Sequence, residues 1–181
     1  MSATSNLEND HVYILRLCDV MERMAQAGNI DPEHLEGVVS LIRNFADGLH
    51  HKKEEDLLFP KMEEKGFSTV RGPVAVMLHE HEEGRNYARG ISGNIEPYKS
   101  GDTEAAEAVR QNLLGYAELL RNHIAKENTI LFRMADNALS AEEQEILSAE
   151  FNKAEENMAP GGSSSFYIAQ IEELAGIYKK G

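Results

Sequence analysis

The sequence predicts an all-α protein in which four long helices are followed by two short C-terminal ones, in a single domain covering residues 1–181. Three observations lead there. Apolar residues recur at three- and four-residue steps along most of the chain, the period of a helix. Capping and breaking residues divide that periodicity into separate stretches. The composition agrees: 14 Gly but only 5 Pro, no Trp, and an abundance of Ala, Glu, Leu and Met, a balance that favours helix.

The elements follow in order. Leu7, Ile14, Leu15, Cys18, Met21 and Met24, with His11 among them, line one helical face that Gly28 would end. Asp31-Pro32 reads as an N-cap followed by proline at the first helical position, and Leu35, Val38, Leu41, Ile42, Phe45, Leu49, Leu57, Leu58 and Met62 carry a second helix to Gly66, bent near Pro60. Gly72-Pro73 opens a third stretch through Val74, Met77, Leu78, His81 and Tyr87 that fades before Pro97, and Lys99-Ser100-Gly101-Asp102 makes the turn into a fourth helix from about Thr103 to Ala135. The bundle thus occupies about residues 5–135. Ser140 with Glu143 has the form of a capping box for a helix over about 141–157. After the flexible run Pro160 to Ser165, a last amphipathic helix spans about 166–179.

The formal net charge is −13, from 31 acidic against 18 basic side chains. Such a surface repels phosphate backbones and anionic head groups, so neither a nucleic-acid nor a membrane partner is expected. The single cysteine, Cys18, forms no intrachain disulfide, the start MSATSNLENDH has no signal-peptide pattern, and no apolar run reaches membrane-span length. The expected location is cytoplasmic.

The chemistry is carried by an internal repeat. His50 to Phe59 and His123 to Phe132 share the pattern H-x-x-K-E-x-x-x-L-F at a constant offset, 123 − 50 = 73. A weaker echo lies upstream, where Asp10-His11 and Glu80-His81 are separated by 81 − 11 = 70. The chain therefore reads as two helix hairpins, each with one His on its first helix and a His/Glu pair on its second. A spacing of four puts the His and Glu on one helix face, about a turn apart, with the trailing Leu continuing that face inward. One histidine on an apolar face is most often a hydrogen-bonded core residue. Four, with two carboxylates and no matching set of Arg and Lys on the same faces, would cost several kcal/mol each if buried uncompensated. A pair of divalent cations, bound by imidazole and bridged by carboxylate, supplies the compensation.

These residues resemble the hemerythrin-like, or HHE cation-binding, family over roughly residues 5–135, and the strings HHKKEEDLLFP and VMLHEHEEGR look like its members of nitrosative and oxidative stress. The resemblance implies an up-down-up-down four-helix bundle, the architecture in which myohemerythrin is a standard example. It further implies two iron ions with an oxo or hydroxo bridge, His11 and His50 on one, His81 and His123 on the other, and Glu54 and Glu127 between them. Manganese or zinc can substitute at such donors.

Alignment through Leu58-Phe59 selects His50/Glu54 over His51/Glu55, which lie about 100° round the helix and read as boundary or surface residues. His79 should point away and His34 should be solvated. The chain departs from oxygen-carrying hemerythrins, which have H-x-x-x-H on the third helix; here Met77 and Arg85 flank His81 at four residues, and Glu127 replaces an Asp five residues after the last His. Each iron would then carry two protein nitrogens and open positions, favouring redox chemistry or sensing over reversible O2 carriage.

The expected function is therefore a non-haem di-iron protein that binds or reduces O2, peroxide or nitric oxide, with Leu15, Cys18 and Met77 lining an apolar pocket and a redox partner protein as electron source. The alternatives are an iron or oxygen sensor or store acting through a partner surface, for which the C-terminal helix is the candidate, and a metal-free structural bundle. Iron-sulfur cluster repair proteins resemble this bundle behind a cysteine-bearing N-terminal domain; with His11 so near the start, repair is not the expected role.

Overall fold

A computed structural model describes residues 2–179 and is helical throughout, with no strand among the described residues. We number six helices: α1 Thr4–Gln26, α2 residues 32–64, α3 Pro73–Lys99, α4 residues 103–138, α5 Ala141–Met158 and α6 Ser165–Ile177. Their starts follow the capping chemistry in the sequence. The Asp31 carboxylate accepts from the Glu33 amide ahead of Pro32, Asp102 accepts from the Glu104 and Ala105 amides, and Ser140 and Glu143 form a reciprocal capping box. No helix among the described residues is long and apolar enough to cross a membrane.

Two helices are composite. Within α2, π-helical turns occupy Ile42–His51 and Glu54–Leu58, and within α4 one occupies Glu127–Leu131. The last two are offset by 127 − 54 = 73, so the repeat extends to backbone conformation. Proline is not their common cause. Pro60 follows the first, whereas Arg133 stands at the equivalent place after the second; what the two turns share is that each begins at the Glu of the repeat. Isolated π turns recur at functional sites. A further departure from expectation is Pro97, which lies inside α3. It is close to that helix's end, where a missing N–H removes only one late hydrogen bond.

The apolar core is split in two. One cluster contains Ile14, Leu17, Met21, Leu41, Phe45, Leu49, Ile91, Leu113 and Leu120; the other contains Leu7, Leu58, Phe59, Val74, Met77, Leu131 and Phe132. Each of the four long helices contributes to both, and the polar residues of the repeat fall between the two memberships. α5 adds Leu147 and Phe151 to the second cluster, and α6 packs mainly on α1, adding Tyr167, Ile171 and Leu174 to the first.

α3 and α4 make the most extensive helix contact, which brings His81 towards His123. It depends on a reciprocal pair of glycines. A Cβ on Gly115 of α4 would lie 2.5 Å from Tyr87 Cε1, and one on Gly84 of α3 would lie 2.8 Å from Tyr116 Cε2. Each tyrosine rests on the bare backbone of the opposite helix. Gly115→Ala should therefore destabilise the fold by about 1–3 kcal/mol through overpacking. Gly93→Ala, where nothing lies within 4 Å of the added methyl, should stabilise by up to about 1 kcal/mol through helix propensity. Urea denaturation of the two variants checks this; equal shifts would show that the ring contact does not set the helix separation.

Candidate metal centre

His11, His50, His81, His123, Glu54 and Glu127 are all 2% exposed or less. The structure brings all six together in the layer between the two apolar clusters. His11 Nε2 faces His50 Nε2 at 3.0 Å, and His81 Nε2 faces His123 Nε2 at 3.2 Å. Glu54 spans the two pairs, Oε1 lying 3.6 Å from His50 Nε2 and Oε2 3.3 Å from His81 Nε2. Glu127 spans them from the other side, Oε2 lying 3.2 Å from His11 Nε2 and Oε1 3.1 Å from His123 Nε2.

Every imidazole in this set turns Nδ1 outward to an oxygen acceptor. His50 Nδ1 donates to Asp10 at 3.2 Å and His123 Nδ1 to Glu80 at 2.9 Å; His11 Nδ1 donates to Asn128 and His81 Nδ1 to Glu55, both at 2.7 Å. The pattern obeys the repeat. Asp10 and Glu80 are the acids of the upstream echo, each holding the His on the second helix of its own half. Glu55 and Asn128, again 128 − 55 = 73 apart, each hold the first-helix His of the other half. The trailing phenylalanines cross over likewise, Phe132 stacking on His11 at 5.4 Å and Phe59 on His81 at 5.9 Å.

The lysine of the motif has a task too. Lys53 Nζ, fully buried, lies 2.6 Å from Asp10 Oδ2 and 2.8 Å from Asn6 Oδ1, and Lys126 pairs with Glu80 in the same way. Arg85 ties Asp47 and Glu55 together, at 2.8 Å from each. Sequence reasoning placed Asp10, Glu80 and the two lysines in the repeat but gave none of these cations and acids a role at the site. The constant K of the repeat and the D/E before each upstream His were the signals that could have found them.

With Nδ1 committed as a donor, each neutral ring presents its Nε2 lone pair inward, so lone pairs face each other at about 3 Å. None of the four Glu54 and Glu127 carboxylate oxygens accepts a hydrogen bond among the described residues. That arrangement demands positive charge. Burial opposes charging His123, yet Glu127 and Glu80 hold its pKa up at about 10. Burial likewise opposes charge on His11 and His81, whose pKa values are nonetheless raised by Glu127 and Glu54 respectively. Against its own burial, Glu127 is held well below the usual carboxylate range by His123 and His11. Imidazole nitrogen with bridging carboxylate oxygen suits iron, cobalt, zinc or manganese, and the residues present fit a pair of such ions.

Two expectations need correcting. His51 is buried, 2% exposed, not a boundary residue, and its Nε2 has no hydrogen-bond partner. It lies with Glu54, His81 and His123 in one group whose ligand atoms are all within 4.8 Å of one another, while His11, His50, Glu54 and Glu127 form the other. One group therefore brings three imidazoles together and the other two. The reason is local: in the π segment ending at His51, a turn closed i→i+5 holds more residues than an α turn, so neighbours diverge less around the axis. His34, expected to be solvated, is half-buried and meets the Tyr178 hydroxyl at 2.9 Å. Glu55 is half-buried, and His79, 76% exposed, faces away as expected.

Of the anticipated pocket residues, Cys18 and Met77 are buried in the first and second clusters and Leu15 is half-buried against the first. Burial pushes the Cys18 thiol up to about 12, an unreactive state. A cavity of about 260 Å³ borders His81, but it is lined otherwise by Arg43, Asp47, Arg85, Arg89 and Tyr116 among others and not by those three.

A family model, the hemerythrin HHE cation binding domain, matches residues 2–135. The chain belongs to this family. It is 25% identical over 185 residues to the uncharacterized protein Rv1995 of Mycobacterium tuberculosis, covering 98% of this chain and 72% of that one. It is also 32% identical over 128 residues to the iron-sulfur cluster repair protein YtfE of Cronobacter sakazakii, covering 63% of this chain and 56% of that protein. YtfE of Edwardsiella ictaluri is 33% identical over 92 residues, 48% and 40% of the two chains. No solved structure matches the chain.

The buried Lys53–Asp10 pair gives a test of the outer layer. Lys53→Met leaves a buried carboxylate without its cation and should cost about 3–5 kcal/mol in urea denaturation. Lys52→Met removes an exposed partner of Asp56 and should change stability by less than about 1 kcal/mol. Comparable losses in the two would mean that Asp10 does not depend on Lys53.

Proposed function

We propose that this chain is a carboxylate-bridged di-iron protein that binds, and can reduce, O2, peroxide or nitric oxide. The observation that carries the reading is the pair of facing Nε2 contacts bracketed by four carboxylate oxygens that lack donors. In it, His11 and His50 hold one ion, His81 and His123 the other, and Glu54 and Glu127 bridge the two. The four long helices, joined by short connections, are taken as an up-down-up-down bundle.

Bound iron would supply two accessible oxidation states and coordination positions not filled by protein. The chain's own residues do the rest. Asp10, Glu80, Glu55 and Asn128 fix the tautomer and orientation of the four rings. Glu54 and Glu127 compensate cationic charge without a proton. Phe59 and Phe132 cover two of the imidazoles and exclude water from them. The cavity bounded by His81, Arg85 and Tyr116 is large enough for a diatomic or peroxide ligand and lies against one of the proposed ligands. Similarity to proteins named for iron-sulfur cluster repair supports a setting of oxidative or nitrosative damage. The sensor alternative would require α6 to leave a seat where Tyr167, Ile171 and Leu174 are buried and Arg23 holds the Tyr178 carbonyl.

Metal analysis of the full chain should find two ions per molecule, with near-ultraviolet absorption when the ferric form is prepared. His50→Ala and His123→Ala should each lower the content to one ion or fewer. Stopped-flow mixing of the reduced protein with O2, H2O2 and NO should change the spectrum for at least one. A chain that retains two irons and responds to none of the three would overturn the proposed chemistry, and one that takes up no ion would overturn the centre itself.

A further inference from the structure

We infer that His51 is a fifth imidazole ligand and that it makes the two cation positions unequal, the His51/His81/His123 position filling first. This rests on the two-ion reading above. It adds a ligand that neither the repeat nor the family resemblance assigns.

In each of the other four rings Nδ1 meets an outer oxygen while Nε2 points to the centre. His51 follows the same pattern. Its Nδ1 lies 3.2 Å from Asp47 Oδ1, a contact that makes Nδ1 the donor and leaves the lone pair on Nε2. That Nε2 is buried and unpartnered, and it sits among the ligand atoms of Glu54, His81 and His123. A ring present only for packing would bury a polar nitrogen for no return, whereas a ring that donates its lone pair to a cation satisfies it.

The two halves of the chain differ around this ring in a concerted way. Adding the offset of 73, His51 corresponds to Ile124 and Asp47 to Leu120; subtracting the upstream offset of 70, Arg85 corresponds to Leu15. Ligand, acceptor and the arginine holding that acceptor are thus all present on one side and all replaced by aliphatic residues on the other. Arg85 contacts both Asp47 and Glu55, so it orients the carboxylates behind His51 and His81 together. One position then offers three imidazoles and the other two. A further nitrogen donor raises affinity for borderline divalent ions such as Fe2+, Co2+ and Zn2+ relative to Mg2+ or Ca2+.

His51 also stacks on His81, centroids 3.8 Å apart and planes at 14°, so the test must separate stacking from ligation. His51→Phe keeps an aromatic ring and removes the nitrogen. Apo full-length chain is titrated with Co2+ against a competing chelator, read by visible absorption, with circular dichroism to confirm helix content. The expected result is two resolved equivalents in the wild type. In His51→Phe the tighter one should weaken by about tenfold or more, the scale at which even outer partners of ligands act, while the weaker one is unchanged. Asp47→Leu, which copies the residue at 120, should weaken the same equivalent less, and His50→Ala should remove the weaker one. Two indistinguishable equivalents in the wild type, or a tight equivalent unaltered in both His51→Phe and Asp47→Leu, would overturn the inference and leave the two-ion centre standing. Failure of the wild type to bind Co2+ at all would overturn both.

Discussion

Two carboxylates and a ring of imidazoles are buried between two apolar clusters with their lone pairs pointing at one another, and the remaining architecture is a response to that constraint. In a medium of low dielectric such a set is tolerable only around positive charge. The imidazole pKa values show the same demand from the protein's side, since burial should lower them and the neighbouring carboxylates raise three of them instead. Protons and metal ions compete for these lone pairs, so cation binding at the centre releases protons. The two apolar clusters, one on each side of the layer, provide the burial that keeps four helices together around an unfavourable middle.

The outer layer explains why the repeat has the length it does. Within H-x-x-K-E-x-x-x-L-F, the His and Glu face the centre, the Lys anchors the acid that holds that same His, the residue after the Glu holds a His of the other half, and the Phe stacks on that same distant ring. Support therefore runs both within each half and across to the other. Neither hairpin could complete its own ligand geometry, because His11 takes its acceptor and its stacking partner from α4, and His81 takes both from α2. The π turns starting at Glu54 and Glu127 belong to the same device, since each carries the chain from a residue facing the centre to one facing the opposite hairpin.

Much of this was legible in the sequence. Periodicity and caps located all six helices to within a few residues, because their signals are local: Asp31-Pro32, Asp102 and the Ser140/Glu143 box act on backbone amides two or three residues away. The six polar residues brought to the centre were legible for a different reason, the constant offset, which repeats a chemistry no single helix would justify. His51 was misread because a rotation of about 100° per residue does not hold through a π-helical segment, and nothing in Ile42–His51 announces a π turn. Pro97 was given too much weight as a breaker, since a proline costs little in a last turn. The outer acids and bases were harder to see because each is meaningful only beside its partner on another helix. Arg85, for instance, follows His81 by four residues on the same helix face, but only the fold shows that α2 carries Asp47 and Glu55 up to its guanidinium.

The outer charges also differ between the two sides. Four acids, Asp10, Asp47, Glu55 and Glu80, stand behind the imidazoles, against three bases, Lys53, Lys126 and Arg85. Asp10 and Glu80 each have a lysine of their own, whereas Asp47 and Glu55 share one arginine, and the ring without an acid, His11, leans on the neutral amide of Asn128. The surplus negative charge is therefore lodged behind His51 and His81. A carboxylate behind an imidazole raises its basicity more than an amide does, so His81, backed by Glu55, would be a better donor than His11, backed by Asn128. The cavity lined by Arg85 and Tyr116 opens on this same electron-rich side, next to His81. Its arginines, Arg43, Arg85 and Arg89, offset the local acids at the mouth. An anion at this opening would therefore meet less of the repulsion that the overall charge of −13 imposes elsewhere.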